Sequence, residues 1–228
     1  MIDPGELFIV STPIGNLSDI TMRALDVLRS VDCVACEDTR VTIKLLNRYE
    51  IRKPLISFHS KSADSALRRI VDLLGRGNSV ALVTDSGTPL ISDPGGKLIE
   101  ELVVKGVKVT PVPGPSAVHT ALAASGFSIS DYTFVGFLSS KPSRRRRELV
   151  ELKETRALLV FFESPHRLLA TLEDALAAFG GVPVCVAKEM TKKFEKYYRG
   201  SLGAVIKELQ EDSVRGEYTV VVDNRRRK

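Results

Sequence analysis

Short apolar runs alternate with longer amphipathic stretches along the first half of the chain. The apolar runs predict strands at 6–11, 32–36, 54–59, 79–84 and 107–111. The amphipathic stretches predict helices that start after an N-cap at Ser18 or Asp19, at 42–49, at 63–74 and from Pro94 onwards. Repeated strand–helix units of this kind predict a mostly parallel sheet with helices on both faces. The fold class is therefore α/β.

The second half resumes the alternation after a proline-rich connection at 113–115. It predicts strands at 132–137, 157–162, 182–187 and 217–222. It predicts helices at 118–126, from Ser143 to about Glu154, from Pro165 to the glycine pair at 180–181, and at 201–210. The second sheet need not be purely parallel. We place a boundary near Pro113, so that residues 1–112 and 113–228 form two α/β domains, each a sheet flanked by helices.

Glycine and proline are concentrated at 85–95, directly after the predicted strand at 79–84. In open α/β sheets ligands lie beyond the carboxyl ends of strands, where loops present free backbone groups. Such clusters also mark ordinary turns, but a second loop of this kind follows the first strand at 12–16. We therefore expect a ligand loop at 85–95. Ser116 begins a helix of small residues and offers a hydroxyl beside unpaired N–H groups.

Charged residues follow three of the predicted strands, at 37–40, 163–167 and 188–192. Groups at the carboxyl end of a strand can orient a substrate. They can equally cap a helix and form local salt bridges. Both interpretations remain open from the sequence alone.

The composition, 43% hydrophobic and 27% charged, is that of a soluble globular protein. No run of eighteen apolar residues occurs, and residues 1–5 lack the features of a signal peptide, so we expect a cytoplasmic protein with no membrane partner. Cys33 and Cys36 lie three apart on a predicted strand and should point to opposite faces. We expect buried, reduced thiols. The histidines show no ligand spacing, so no metal is expected.

The net charge of +5 arises from two short basic segments. The two segments hold nine positive charges, so the rest of the chain has a net charge of −4. The tail at 225–228 contributes four of the nine. The other five belong to Lys141, Arg144, Arg145, Arg146 and Arg147. A basic excess confined in this way indicates a polyanion-binding surface. The alternative is a solubilising loop and a frayed tail, and it is stronger for the tail.

Motifs of three large enzyme classes are absent from the sequence. The first strand–helix turn, 12–17, holds one glycine in place of the G-x-G-x-x-G of a dinucleotide site. Neither G-x-x-x-x-G-K-[ST] nor G-x-S-x-G occurs. A nicotinamide cofactor is therefore disfavoured, and the NTPase and hydrolase interpretations lose their simplest support.

Five motifs together carry a specific resemblance to a known family. They are Thr12-Pro13-Ile14-Gly15-Asn16-Leu17-x-Asp19-Ile20-Thr21, Glu37-Asp38-Thr39-Arg40, Asp85-Ser86-Gly87-Thr88-Pro89-Leu90-Ile91-Ser92-Asp93-Pro94-Gly95, Pro113-Gly114-Pro115-Ser116-Ala117 and Glu163-Ser164-Pro165-His166-Arg167. With these motifs in order between about Leu7 and Val222, the chain resembles the ribosomal RNA small subunit methyltransferase I family. That family belongs to the tetrapyrrole-methylase-like (class III) S-adenosylmethionine enzymes. Ser86 stands where the family usually has alanine, a small change that should fit.

The resemblance implies a two-domain enzyme, usually a homodimer, that holds S-adenosylmethionine in the cleft between its domains. It also implies 2′-O-methylation of a cytidine ribose in the decoding region of 16S rRNA in the small ribosomal subunit. The positions that match cofactor-binding residues of the family are Pro13, Asp85, Gly87, Thr88, Ile91, Ser92, Ser116, Ala117, Phe162, Met190 and Thr219.

Methyl transfer to a ribose 2′-hydroxyl needs a polar group that accepts the hydroxyl proton. Chemically suitable groups at predicted strand ends are Glu37, Asp38, His59, Glu163 and Lys188. The sequence does not choose among them, and our hypothesis favours Glu163 or Lys188. We expect Arg40 and Arg167 to position RNA phosphates and the basic segment at 141–147 to supply salt-dependent affinity.

Two other functions stay open. The first is a methyltransferase of the same superfamily that acts on a tetrapyrrole or a modified protein side chain, and the basic segments argue against it. The second is a non-catalytic RNA- or ribosome-binding protein, which would keep the basic segments but would not bind the cofactor.

Overall fold

A computed structural model describes residues 5–59, 63–93 and 95–225. The predictions made for Pro94 and for the tail beyond Arg225 lie outside these ranges. The chain divides into two compact units, Met1–Ser116 (unit 1) and Ala117–Lys228 (unit 2). Each unit is built on its own sheet.

Unit 1 alternates strands and helices as the apolar pattern predicts. Its elements are β1 (Glu6–Val10), a 3-10 turn (Leu17–Asp19), α1 (Met22–Ser30), β2 (Cys33–Cys36), α2 (Thr39–Arg48), β3 (Leu55–Ser57), α3 (Ala63–Gly75), β4 (Val80–Val83), α4 (Gly96–Val104) and β5 (Lys108–Val112). The strands pair in parallel in the order β3-β2-β4-β1-β5. All the carboxyl ends, and the loops that follow them, therefore lie at one edge of this sheet.

The core of unit 1 has two halves, one on each face of the sheet. On one face Ala24 of α1 and Leu45 of α2 pack around Cys36, and on the other Ile70 of α3 packs around Cys33. Because β2 and β4 are buried on both faces, their sequences are continuously apolar. The expectation that Cys33 and Cys36 are free, buried and on opposite faces is confirmed.

Unit 2 holds a mixed sheet. Its elements are α5 (Ala117–Ser125), β6 (Tyr132–Phe137), α6 (Pro142–Leu152), a 3-10 turn (Lys153–Thr155), β7 (Leu158–Glu163), α7 (Leu168–Phe179), β8 (Pro183–Lys188), β9 (Lys196–Ser201), α8 (Leu202–Gln210) and β10 (Tyr218–Asp223). The order is β6-β7-β10-β8-β9, with β6 parallel to β7 and the other pairs antiparallel. Apolar residues of α6, α7 and α8 cover one face, while α5 packs on the other.

Some details differ from the sequence predictions. Helix α6 begins at Pro142, so Ser143 lies in its first turn and does not cap it. The cap of α1 is Thr21, whose hydroxyl accepts the Ala24 N–H over 3.1 Å, because the expected cap residues Ser18 and Asp19 form the preceding 3-10 turn. Strand β9 was not predicted, since its sequence KYYRGS lacks an apolar run. Helix α7 begins at Leu168, because Pro165 and its neighbours form a turn before the helix.

Candidate functional site

Three loops of unit 1 lie side by side at the carboxyl ends of β1, β4 and β5, because β1 lies between the other two strands. Thr12 and Gly87 join the first two loops in an antiparallel bridge. The Thr12 N–H donates to the Gly87 carbonyl over 2.8 Å, and the Gly87 N–H donates back to the Thr12 carbonyl over 3.1 Å. The segments 12–17, 85–95 and 113–116, which the motifs singled out, thus form one surface.

Hydroxyl groups connect these loops. The Ser11 hydroxyl donates to Thr88 Oγ1 over 3.2 Å, and the Thr88 hydroxyl donates to the Pro115 carbonyl over 3.2 Å. A Cβ placed on Gly114 would lie 3.0 Å from the Ser11 Cβ, so the third loop passes close to the first. Thr88 is thereby fixed by neighbours on both sides. Sequence reasoning missed Ser11, although its polar position at the end of an apolar strand was the available signal.

The central loop is held in an unusual backbone conformation. Leu90 and Ser92 have φ values of 74° and 71°, in the left-handed region that non-glycine residues seldom adopt. Gly95 has a φ of 133°, and a Cβ there would approach Leu90 Cδ2 to 2.7 Å. Such strain persists only where surrounding structure imposes it, and it concentrates at ligand-binding sites.

The surface has the groups that a sulfonium cofactor with a carboxylate, an amine and an adenosine requires. Ile91 keeps 44% of its surface exposed beside the exposed Ser92. Leu90 and Ser92, on either side of Ile91, both have positive φ values. Pro13 is buried within the first loop, and Ser116 is half-buried at the end of the third. These residues fit S-adenosylmethionine in chemical type.

A polar pocket lies beside this surface, at the carboxyl ends of β2, β3 and β4. Its volume is about 360 Å³. Its lining consists of Glu37, Asp38, Thr39, Arg40, Ser57, His59 and Asp85. The Asp38 N–H donates to Asp85 Oδ1 over 3.1 Å and connects two sides of the pocket. Residues that the sequence left as separate strand-end candidates are therefore neighbours.

The carboxyl groups around the pocket differ in their electrostatics. The Arg40 guanidinium forks onto Asp38, with Nη2 at 2.6 Å and Nε at 3.0 Å, and these hydrogen bonds lower the pKa of Asp38 to about 2. Burial raises the pKa of Asp85 and that of Asp93 behind it. Partial desolvation raises the pKa of Glu37, and the negative charges of Asp85 and Asp93 add to this effect.

In unit 2, Phe162 and Thr219 face each other across neighbouring strands. They are direct partners in the β7–β10 register, and Thr219 also pairs with Ala187 of β8. Phe162 packs edge-on against Phe134, with ring centroids 5.1 Å apart. Neither belongs to the core beneath α6, α7 and α8, so both lie on the face that α5 covers. Two residues that match adenosine positions of the family thus share one apolar surface.

Glu163 and Lys188 lie on the opposite face of the same sheet. Each pairs with Tyr218, which belongs to the core beneath α6, α7 and α8. The buried Glu163 carboxylate accepts hydrogen bonds from the Thr171 hydroxyl over 2.7 Å, from Arg167 Nη2 over 2.9 Å and from its neighbour's N–H over 2.8 Å. These contacts describe a structural anchor for the start of α7.

Lys188 and Arg167 are also engaged within unit 2. Lys188 is buried, donates through Nζ to the Ser213 carbonyl, and has Asp212 Oδ1 3.8 Å away. Besides its bond to Glu163, Arg167 donates through Nη2 to the Leu138 carbonyl over 2.7 Å. Arg167 thus fixes the loop after β6, and Lys188 fixes the loop between α8 and β10.

Met190 lies in a tight loop after β8. Its neighbours Glu189 and Thr191 have φ values of 48° and 66°. The Glu189 carboxylate holds the loop, since Oε1 accepts the Glu217 N–H over 2.9 Å and the Lys192 ammonium over 3.0 Å. Met190 itself is buried, so its contribution to a ligand surface would come through this constrained loop.

The basic segment forms the first turns of α6, and its members differ in exposure. Arg145 is buried and contacts Asp174 of α7 through Nη2 at 2.6 Å. Arg146 reaches the same carboxylate from the solvent side at 3.0 Å. The side chain of Arg144 is 73% exposed beside Glu148. Exposed side chains are also found at Lys141 and Arg147.

Two kinds of feature are absent from the described ranges. Among those residues, no group of three or more histidine, cysteine, aspartate and glutamate side chains is placed to hold a metal ion. No helix in the described parts of the chain is both long and apolar enough to cross a bilayer.

Comparisons with known proteins agree with this architecture. The profile of the tetrapyrrole (corrin/porphyrin) methylases matches residues 6–206. The chain is 48% identical to the ribosomal RNA small subunit methyltransferase I of Thermotoga maritima, over 97% of the chain and 99% of that relative. It is 43% identical to the protein of the same name in Bacillus subtilis, over 97% of the chain and 76% of that relative.

Solved structures share the fold at much lower identity. A cobalt precorrin-4 methyltransferase has a TM-score of 0.72 and 19% identity, covering 95% of this chain and 94% of its own. The uroporphyrin-III C-methyltransferase of Thermus thermophilus, solved with S-adenosyl homocysteine, has a TM-score of 0.68 and 16% identity, covering 96% and 97%. At these identities the likeness establishes the fold alone.

Proposed function

The chain belongs to the tetrapyrrole methylase family, in its ribosomal RNA small subunit methyltransferase I branch, and we propose that it methylates small-subunit rRNA with S-adenosylmethionine as donor. The observation that carries this proposal is the 48% identity to a relative of that name over almost the full length of both chains. In its finer form, the proposal is that the methyl group goes to the 2′-hydroxyl of a cytidine in the decoding region of 16S rRNA.

The proposed cofactor residues of unit 1 are Pro13, Asp85, Gly87, Thr88, Ile91, Ser92 and Ser116. The hydroxyl chain through Thr88 and the left-handed conformations of Leu90 and Ser92 support this set, because they preorganise backbone groups around an exposed apolar side chain. When bound, S-adenosylmethionine supplies a methyl group activated by its sulfonium. The proposed residues of unit 2 are Ala117, Phe162, Met190 and Thr219, supported by the shared face of Phe162 and Thr219.

The proposed RNA-binding residues are Lys141, Arg144, Arg146, Arg147 and Arg167. The first four lie just before α6 or within its first two turns. The first turn of α6 holds no acidic residue. Positive side chains at the positive end of a helix dipole weaken the helix, but they create a strong site for a phosphate. Arg145 leaves this set, because its side chain is only 5% exposed and is paired with Asp174.

The structure bears on the roles proposed for Glu163, Lys188 and Arg40. Glu163 and Lys188 have their polar atoms engaged inside unit 2. We propose that Glu163 and Lys188 stabilise the ends of β7 and β8, beside which Thr219 and Met190 lie. Arg40 has an 86% exposed side chain held by the Asp38 carboxylate. This geometry supports the role of positioning an RNA phosphate.

We also propose that the protein acts as a homodimer in the cytoplasm, where its rRNA substrate is found. Analytical ultracentrifugation of the purified protein tests the first part, and a purely monomeric protein would contradict it.

The test offers radiolabelled S-adenosylmethionine with assembled small subunits, naked rRNA or a tetrapyrrole. Nuclease digestion and chromatography then identify the labelled nucleoside. We expect label on a 2′-O-methylcytidine. Label on a base would overturn the 2′-O assignment, and label on the tetrapyrrole alone would overturn the rRNA assignment.

Calorimetry with S-adenosylmethionine separates the enzyme from a non-catalytic RNA-binding protein. We expect binding by the wild-type protein and weaker binding by Thr88→Val, which removes the hydroxyl between Ser11 and Pro115. A wild-type protein that binds rRNA but not the cofactor would overturn the proposal.

A further inference from the structure

The polar pocket beside the central loop has the size of a small-ligand site. Its volume of about 360 Å³ falls within the range of about 300–1,000 Å³ found for such sites. The lining combines carboxylates, a guanidinium, two hydroxyls and an imidazole, so it is not simply acidic. Polar groups of both charges can bind the hydroxyls and phosphate of a nucleotide.

The sheet of unit 1 holds this pocket in a defined geometry. Strand β2 is hydrogen-bonded to β3 on one side and to β4 on the other. Glu37 follows β2 directly, and Asp85 comes two residues after β4. The Phe58 N–H donates to the Cys36 carbonyl over 2.8 Å and extends the β2–β3 pairing beyond Ser57, and His59 is the next residue in the chain.

Within the pocket, the carboxylates differ in what they already bind. Asp38 accepts the Arg40 backbone N–H over 2.8 Å as well as the Arg40 guanidinium. Asp85 accepts the Asp38 N–H. Among the described residues, no hydrogen-bond donor is bound to the carboxylate of Glu37, and this side chain is exposed to solvent. Glu37 can therefore accept a hydrogen bond from a ligand without breaking a hydrogen bond to any other described residue.

The charges that face Glu37 suit it to proton transfer. Partial desolvation raises its pKa, and the negative charges of Asp85, Asp93 and Asp38 act in the same direction, while His59 opposes them. Arg40 also lines the pocket. A carboxylate with a raised pKa is a stronger base, and a general base works best when its pKa approaches the working pH.

We infer that this pocket receives the acceptor ribose and that Glu37 accepts the proton of its attacking hydroxyl. This inference rests on the proposed function. The hydroxyl oxygen bonds to the methyl carbon as the carbon–sulfur bond of the sulfonium donor breaks and leaves its electron pair on sulfur. The hydroxyl proton moves to a Glu37 oxygen, from which it returns to water.

The test compares Glu37→Gln with Glu101→Gln, a matched change on α4 outside the pocket. We expect Glu37→Gln to lower kcat by about 100-fold or more, the usual contribution of a general base. Its RNA KM and cofactor affinity should stay within about threefold of wild type, and Glu101→Gln should match wild type throughout. A Glu37→Gln variant that keeps more than about a tenth of kcat would overturn the assignment.

The pH profile supplies a second readout. We expect the acid limb of wild-type kcat to be absent in Glu37→Gln. In His59→Gln the limb should move to higher pH, since the imidazole no longer lowers the pKa of Glu37. An unchanged acid limb in Glu37→Gln would overturn the inference even if the rate fell.

A third readout does not depend on turnover. In protein labelled with ¹³C at glutamate carboxyls, the signal lost in Glu37→Gln identifies Glu37. We expect it to titrate above the ordinary glutamate pKa and to shift when a small-subunit rRNA oligonucleotide is added. A signal that ignores RNA would overturn the pocket assignment. If wild-type protein transfers no label to rRNA, the proposed function fails; if only the Glu37 results fail, it stands.

Discussion

Replacing Arg145 with methionine should destabilise unit 2 without a direct loss of an RNA contact. The Arg145 guanidinium joins α6 to α7 through two contacts to Asp174 Oδ2, from Nη2 at 2.6 Å and from Nε at 2.8 Å. The side chains are 5% and 14% exposed, so solvent screens the pair weakly. Arg145→Met removes one partner and leaves the Asp174 carboxylate largely buried.

The expected loss follows from what Asp174 retains. Removing one partner of a buried ion pair typically costs about 3–5 kcal/mol, because an uncompensated charge is left behind. Arg146 still contacts Asp174 Oδ1 at 3.0 Å, so we expect the lower end, about 3 kcal/mol. For a unit of this size, that loss corresponds to a fall in Tm of roughly 10 °C.

Urea denaturation followed by circular dichroism measures this loss. Arg144→Ala is the control, since its side chain is 73% exposed and pairs with Glu148 on the same helix, so its loss should cost less than about 0.5 kcal/mol. The double variant Arg145→Met with Asp174→Leu should recover most of the stability, because it removes both charges. An Arg145→Met protein within about 1 kcal/mol of wild type would refute the reasoning.

Three other predictions concern the basic segment and the loops of unit 1. Arg147→Ala should lower the slope of log affinity against log salt for rRNA by about 0.7–0.9 without changing Tm, and an unchanged slope would contradict a phosphate contact. Gly95→Ala should cost about 1–3 kcal/mol in urea denaturation, because the φ of Gly95 is 133° and the new Cβ would lie 2.7 Å from Leu90 Cδ2. The control is Gly96→Ala, since a Cβ at Gly96 would have no atom within 4 Å. Equal losses of stability in the two variants would contradict the strain argument. Asp38→Asn should lower Tm above pH 3.8, and the difference should shrink as pH falls towards 2, since Arg40 lowers the pKa of Asp38 to about 2 in the folded protein; a difference that persists at pH 2 would contradict this assignment.

The sequence allowed the architecture to be predicted because most elements are locally encoded. Strand β4 is a continuous apolar run, and α7 ends at Gly180, whose φ of 76° favours glycine. Strand β9 was missed because an edge strand with one buried residue has no apolar pattern to recognise. The position of β9 is set by its pairing with β8. A short stretch of sequence around β9 does not reveal this pairing.

The site was predictable in its loops but not in the state of each side chain. The motifs at 12–17, 37–40 and 85–95 all follow strands, and parallel pairing brings their loops to one edge. Burial of one arginine in a run of four depends on the approach of α7, and nothing in the run distinguishes Arg145 from its neighbours. The donors that occupy Glu163 likewise come from an α7 residue eight positions away and from Arg167.

The pleat of β7 argues against Glu163 as the proton acceptor. Phe162 and Glu163 are adjacent in the chain, so their side chains leave opposite faces of the sheet. The register places Phe162 opposite Thr219 on the face that α5 covers, and Glu163 opposite Tyr218 above α7. A ligand held by Phe162 and Thr219 would therefore meet the backbone near Glu163 but not its carboxylate. The carboxylate of Glu37, which needs no rearrangement to accept a proton, is the better candidate.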